Sequence, residues 1–232
     1  MKNEPVFVII PAYNAERTIS SVILDLHKCN FKTQIVVIND GSTDDTINKV
    51  TGLKIEILEH PENLGKGAAL RTGFQWAQRR NANLILTLDA DGQHNPFEAV
   101  KLMKKMSDQD ADIVIGSRMS NLQKMPLHRI LSNVITSKLI TWRIKQNIED
   151  SQSGFRLIRA DVVNNIELTT NKFDLESEVI IKAGLSNYKI VSVPITTIYE
   201  KNSRSSVNFM DVLRFIVLLL RSFSWRRKKV YV

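Results

Sequence analysis

The chain has 232 residues, 43% of them apolar, which is enough to enclose one sizeable core, so a single domain is expected. There are 32 lysines and arginines against 24 aspartates and glutamates, a net charge of +8, but residues 201–232 hold eight of the basic groups with only Asp211 in opposition. Basic charge confined to one end argues against nucleic acid and for an anionic membrane surface, and one cysteine, Cys29, excludes an internal disulfide framework and suits a reducing compartment.

Taken in order, residues 6–10, 35–38, 55–58, 84–88 and 113–115 read as strands, rich in Val, Ile and Leu and covered on both faces. The first of these runs is closed by Pro11 and is too short for a signal peptide. Between the strands, residues 15–27, 43–50, 67–80 and 96–106 carry helical periodicity, with Pro96 suited to a first turn and Ser42 or Thr43 to a cap. Repeated strand–helix units predict a mostly parallel sheet with right-handed crossovers and ligands at the carboxyl ends of the strands. Those ends hold Pro11-Ala12-Tyr13-Asn14, Asn39-Asp40-Gly41-Ser42, Asp89-Ala90-Asp91 and Gly116-Ser117-Arg118. Residues 121–148 then mix apolar groups such as Leu127, Leu131 and Trp142 with Arg129, Lys138 and Arg143. The string Asp150-Ser151-Gln152-Ser153-Gly154-Phe155-Arg156, an acidic helix over 174–182 and a strand over 189–193 complete the globular part. The end, DVLRFIVLLLRSFSWRRKK, reads as an apolar helix in which six uncharged residues separate Arg214 from Arg221. That is far short of the roughly 20 residues needed to cross a bilayer.

The chemistry concentrates in LILTLDADGQH. Asp89 and Asp91, two apart in an extended segment, face the same side and can reach one ion. Hard oxygen ligands few in number favour Mg²⁺ or Mn²⁺ shared with substrate phosphates. Gly92 gives the backbone room, Gln93 is a further contact, and His94 is a core residue or a polar helix start. Asp40 either accepts hydrogen bonds from a base or ribose or serves a turn. In NLGKGAALRTG, Gly-Lys-Gly at a helix start reads as an anion site made from backbone amides and Lys66.

The ordered set PAYNAERTI, VINDGSTDDT, NLGKGAALRTGF, LDADGQH, GSR and SGFR, spanning nearly the whole chain, resembles the family 2 glycosyltransferases, in particular the dolichol-phosphate mannose synthases and related polyprenyl-phosphate glycosyltransferases. Where the family usually has an acid directly after PAYN, this chain has Ala15 before Glu16. The resemblance implies an α/β three-layer sandwich of the GT-A, Rossmann-like type. A catalytic domain would span 1–200, with 1–118 binding the nucleotide sugar and 119–200 the acceptor, followed over 201–232 by a basic loop and an amphipathic helix. It implies a donor site of Pro11, Tyr13, Glu16 and Asp40 around the nucleoside, joined by Lys66, Ala90 and Arg204, with Lys201 a weaker candidate. It further implies a metal, Mg²⁺ or Mn²⁺, on Asp89, Asp91 and Gln93, and an acceptor-phosphate site of Arg118, Arg129 and Ser132.

The expected reaction is inverting transfer of a hexose from a GDP- or UDP-sugar, with Asp91 and Arg118 as catalytic groups. A polyprenyl-phosphate acceptor is already ionised. A hydroxyl acceptor on a polysaccharide or cell-surface glycan would need a general base, for which Asp150 is the candidate, its alternative role being to orient a loop or pair with Arg156. Arg156 either pairs with a carboxylate or phosphate or makes a structural ion pair, and Glu176 and Glu178 read as a solvated face or as support for basic loops. Phe215, Ile216, Leu218, Leu219, Phe223 and Trp225, followed by Arg226-Arg227-Lys228-Lys229, have the composition of an interfacial anchor. The expected location is therefore peripheral, at the cytoplasmic face of a membrane and open to a membrane-protein partner, while a non-enzymatic membrane-binding module is the rival reading.

Overall fold

The computed structural model describes residues 4–120, 125–198 and 209–225. Seven strands form one sheet: β1 Val6–Ala12, β2 Thr33–Asp40, β3 Glu56–His60, β4 Leu84–Thr87, β5 Ile113–Ser117, β6 Arg156–Arg159 and β7 Ile190–Pro194. Their order is β3-β2-β1-β4-β6-β5-β7. Every pairing is parallel except those of β6, which runs antiparallel between β4 and β5, with Thr87 opposite Arg156 and Ile115 opposite Arg156 on its other edge. The helices are α1 Ile19–His27, α2 Thr46–Val50, α3 Lys66–Arg79, α4 Ala99–Gln109, α5 Leu127–Ile144, α6 Ala160–Asn165, α7 Asp174–Leu185 and α8 Phe209–Ser222, with a single 3-10 turn at Pro96–Glu98.

Side-chain alternation along β1 shows why there are three layers. Val6, Val8 and Ile10 join Ile19, Val22, Ile23 and Leu26 of α1 and Leu102 and Met106 of α4 on one face. Phe7 and Ile9 join Leu70 and Phe74 of α3, Ile140 of α5 and Val179 of α7 on the other. Val8, Ile9 and Ile10 are fully buried, and each contributes about 1.5–3 kcal/mol by leaving water. Gly73 lets α3 close on the sheet, because a Cβ there would collide with the Ile9 side chain.

The expected strands are all present, and β6 is one the sequence did not announce. The first two helices start later than their periodicity suggests, because side chains from the neighbouring turn hold the preceding residues. The Ala15 amide donates to Thr46 Oγ1 at 2.8 Å and the Glu16 amide to Asp44 Oδ2 at 3.2 Å. Neither Ser42 nor Thr43 caps α2; Asp44 Oδ1 instead accepts the Thr46 amide at 3.0 Å. Pro96 does open a first turn, and Asn95 Oδ1 accepts from the Phe97 amide at 3.1 Å.

α8 carries apolar residues on its inward and on its outward side. Phe215 and Leu218 are buried in the core beside α7, while Ile216, Val217 and Leu220 are exposed. Arg214 and Arg221 lie between the buried and the exposed residues, and Arg214 pairs with Asp211 at 2.8 Å. Among the described residues no helix is long and apolar enough to cross a membrane.

Candidate active site at the carboxyl ends of the strands

The carboxyl ends of β1, β2, β4 and β5 lie along one edge of the sheet. Because β6 runs the opposite way, its amino end and the preceding residues 150–155 arrive at that same edge. The site is therefore built from loops after four strands and the loop before a fifth.

Asp89 follows β4. Its Oδ1 lies 2.6 Å from Lys66 Nζ, and Lys66 Nζ is also 3.1 Å from Glu176 Oε1. His94 Nε2 stands 3.7 Å from Asp89 Oδ2. Burial alone would raise the Asp89 carboxyl, but Lys66 and His94 hold it well below the usual carboxylate range. Burial would likewise lower Lys66, and Asp89 and Glu176 raise it above the ordinary lysine value. Gly154 packs directly beneath: a Cβ there would lie 2.5 Å from Asp89 Oδ2. His94 is buried, stacks on Phe155 with ring centroids 5.5 Å apart, and its Nδ1 has no hydrogen-bond partner among the described residues.

Asp91 is exposed, and desolvation in the cleft together with the Asp89 charge raises its pKa. The repulsion that raises it is what a cation between the two acids would relieve. Asp91 Oδ1 accepts the Gln93 amide at 3.0 Å, and Thr18 Oγ1 donates to the Ala90 carbonyl at 2.6 Å, which ties the turn to the start of α1. The partly buried Gln93 carries its side chain on this turn. Among the described residues no group of three or more His, Cys, Asp and Glu side chains is placed to hold a metal alone. Two carboxylates with a lysine ammonium already standing at one of them fit a cation completed by substrate phosphates.

Asp40 differs from its reading as a group facing the nucleoside. It is 3% exposed, and its carboxylate accepts the Leu64 amide at 3.0 Å and the Gly65 amide at 2.8 Å and meets His60 Nδ1 at 2.7 Å. The anion at the start of α3 is thus Asp40 itself. The Ala68 amide donates to the Asn171 carbonyl at 2.9 Å, and Gly67 backs onto residues 171–172, where a Cβ would lie 2.5 Å from the Lys172 carbonyl oxygen. The Gly65 and Ala68 amides are therefore taken up from within, and the Lys66 side chain turns to the cleft. Glu16 is also tied internally, accepting the Asp45 amide at 3.1 Å. Pro11 is partly buried and Tyr13 half exposed at the mouth of β1.

On the other side of residues 150–155, Arg118 meets Asp150 in a two-pronged pair: Nε donates to Oδ2 at 2.8 Å and Nη2 to Oδ1 at 2.9 Å. The Arg118 amide and Asn133 Nδ2 also donate to this carboxylate, at 2.9 and 2.7 Å. Asp150 is fully buried; burial would raise its pKa, yet Arg118 and Asn133 hold it below the usual range. A carboxylate so satisfied is a feeble base. Ser132 Oγ accepts from Gln152 Nε2 at 3.2 Å, and Arg129 lies one turn earlier on α5. Arg156 makes no ion pair with a carboxylate among the described residues. It is 2% exposed and donates to the carbonyls of Ser151, Ser153 and Glu176 at 2.7–2.8 Å, clamping the loop to α7. Glu178 accepts from Thr169 and Thr170, and Glu176 belongs to the cleft, so neither forms a solvated face. Lys201 and Arg204 lie outside the described residues, as does the cluster 226–229.

Residues 7–167 match the family described as Glycosyl transferase family 2. The chain is 30% identical over 225 residues to the UDP-N-acetylglucosamine–dolichyl-phosphate N-acetylglucosaminyltransferase of Methanococcus voltae, covering 88% of this chain and 89% of that one. It is 27% identical to the polyprenol monophosphomannose synthase of Mycolicibacterium smegmatis, covering 82% and 76%. The fold superposes with a TM-score of 0.72, at 19% identity, on glucosyl-3-phosphoglycerate synthase from Mycobacterium tuberculosis, solved with Mn²⁺, uridine diphosphate and phosphoglyceric acid, over 94% of this chain and 78% of that one. This protein belongs to glycosyl transferase family 2: it is a glycosyltransferase of the GT-A fold, and the reading as a non-enzymatic module is set aside.

Proposed function

We propose that the protein transfers a hexose or related sugar from a GDP- or UDP-sugar to a polyprenyl phosphate with inversion at the anomeric carbon. The observation that carries this reading is the Arg118–Asp150 pair. It presents a fixed guanidinium on the acceptor side while its carboxylate is unfit as a base, an arrangement suited to an acceptor that arrives ionised. Relatives named for transfer to dolichyl and polyprenyl phosphates support the same acceptor class.

Asp89 and Asp91, with Gln93, would hold Mg²⁺ or Mn²⁺ on the diphosphate. When bound, that cation supplies positive charge to the departing diphosphate. The chain's own part is to orient. Pro11 and Tyr13 line the nucleoside side, Asp40 fixes the turn that carries Lys66, and Arg118, Arg129 and Ser132 hold the acceptor phosphate. A phosphate oxygen then forms the new bond to the anomeric carbon as its bond to the diphosphate breaks, and no proton has to be removed. Arg204 is proposed to cover the donor phosphates.

The acceptor is a lipid, and an apolar face lies beside its site. Leu127, Leu131, Ile135 and Trp142 of α5 and Ile216, Leu220 and Phe223 at α8 are exposed, and the Trp142 and Phe223 rings stand 5.7 Å apart. With Arg129, Arg143, Arg214 and Arg221 nearby, this face is proposed to rest on an anionic bilayer at its cytoplasmic side.

Incubation of the protein with labelled UDP- and GDP-sugars, Mn²⁺ and undecaprenyl or dolichyl phosphate in vesicles tests the reading. A labelled, organic-extractable lipid is the expected product. Its absence with every donor overturns the acceptor assignment.

A further inference from the structure

Lys66 stands between two carboxylates, and the surroundings of all three groups are fixed. Asp89 is seated in the space left by Gly154, with His94 Nε2 3.7 Å from its second oxygen. Lys66 opens α3, where the Ala68 amide and the close approach of Gly67 to residues 171–172 clamp the backbone. Glu176 lies in the first turn of α7, 8% exposed, and its carbonyl accepts from Arg156 Nη1 at 2.7 Å. The ammonium therefore has two anchored acceptors, 2.6 and 3.1 Å away. Passing wholly from one to the other requires only side-chain torsions.

A lysine at a metal carboxylate competes with the metal. A second carboxylate beside it changes the outcome, because the displaced ammonium keeps a partner and does not face the incoming cation unpaired. We propose that Lys66 is the resident counter-ion of Asp89 in the metal-free protein and that Glu176 is the positioning residue which receives its ammonium when a divalent cation takes Asp89. The proposal rests on the reading of Asp89 and Asp91 as metal ligands. Glu176 thereby sets metal affinity through Lys66 and not by touching the metal, and the transferred ammonium stays within the cleft.

Titration of the full chain with Mn²⁺ alone, followed by electron paramagnetic resonance of the unbound ion, tests this without any turnover. Lys66→Met tightens Mn²⁺ binding by about tenfold, by removing the competing charge. Glu176→Gln weakens it by about fivefold when Lys66 is present and by less than about twofold in the Lys66→Met background, because the two act as one unit. Equal losses in both backgrounds would reduce Glu176 to a distant charge and overturn the proposal. Crystals of the wild-type protein grown with Mn²⁺ give a second measurement that needs no variant: Lys66 Nζ should bond Glu176 and have left Asp89, and an ammonium still on Asp89 overturns it. If wild type and Asp91→Asn bind Mn²⁺ equally weakly, with Mn²⁺ alone and again with UDP or GDP added, the metal reading itself fails and takes the proposal with it. Tight wild-type binding without the coupling removes the proposal alone.

Discussion

Asp89 and Asp91 are two residues apart yet chemically unlike. One is anchored among Lys66, His94 and Gly154 and held ionised, while the other is exposed with its proton affinity raised by its neighbour. Replacing either with Asn should lower turnover by about 10²–10³, with circular dichroism close to wild type and, for the exposed Asp91, an unchanged thermal midpoint. Asp150 is bound differently, with Arg118 and Asn133 donating to its carboxylate. Its pKa is depressed in the fold, so its stabilising effect is present above the unfolded value near 3.9 and is lost as pH falls through the folded one. Unfolding free energy should therefore show no Asp150 contribution to its pH dependence from pH 5 to 9 and should drop below about pH 4. Asp150→Asn should shrink that acid limb, to which Asp89 also contributes, and cost about 3–5 kcal/mol in urea unfolding at pH 7, since it leaves the Arg118 side of a buried pair without its charge. The acids of LDADGQH were legible because position at a strand end is visible in a string of letters. The role of Asp150 was not, since its partners Arg118 and Asn133 come from β5's end and α5, 32 and 17 positions away. The turn that Asp40 serves was legible only in outline: the amides it accepts belong to residues 64 and 65, and nothing in VINDGS points to them.

The elements themselves explain what periodicity could and could not reveal. β1, β2 and β5 are continuous apolar runs and stood out. β6 is four residues long, Arg-Leu-Ile-Arg, and its direction is fixed only by pairing with Leu84–Thr87 on one side and β5 on the other. The glycines of GKG and SGFR were visible as letters, but their reasons were not. Gly67 admits the backbone of residues 171–172, and Gly154 admits a carboxylate. Gly154→Ala should therefore push Asp89 out of place. We expect Mn²⁺ affinity to fall by about tenfold or more, for a cost of about 1–3 kcal/mol from local crowding, measured by metal titration alongside thermal unfolding.

For the molecule as a whole, two cores on opposite faces of one sheet leave α5 and α8 with apolar residues on their outer sides. Leu131 and Leu220 are 62% and 65% exposed, so Leu131→Glu with Leu220→Glu should change stability by no more than about 0.5 kcal/mol each. The pair should nevertheless reduce flotation with anionic vesicles by about tenfold, at about 1 kcal/mol of opposing charge near the surface, while Mn²⁺ binding stays as in wild type. Equal flotation would detach this face from the membrane. The broad assignment to an α/β catalytic domain was readable from alternating runs and strand-end motifs. The two-sided character of α8 was not, because it depends on α7 lying beneath it.

The antiparallel course of β6 brings one short peptide, residues 150–155, between the Asp89 carboxylate and the first turns of α5. Under the proposed function, selection on the sugar and selection on the acceptor would meet in the same six amino acids. Divergence within that peptide would be expected to shift both preferences together, where most of the cleft allows them to drift apart.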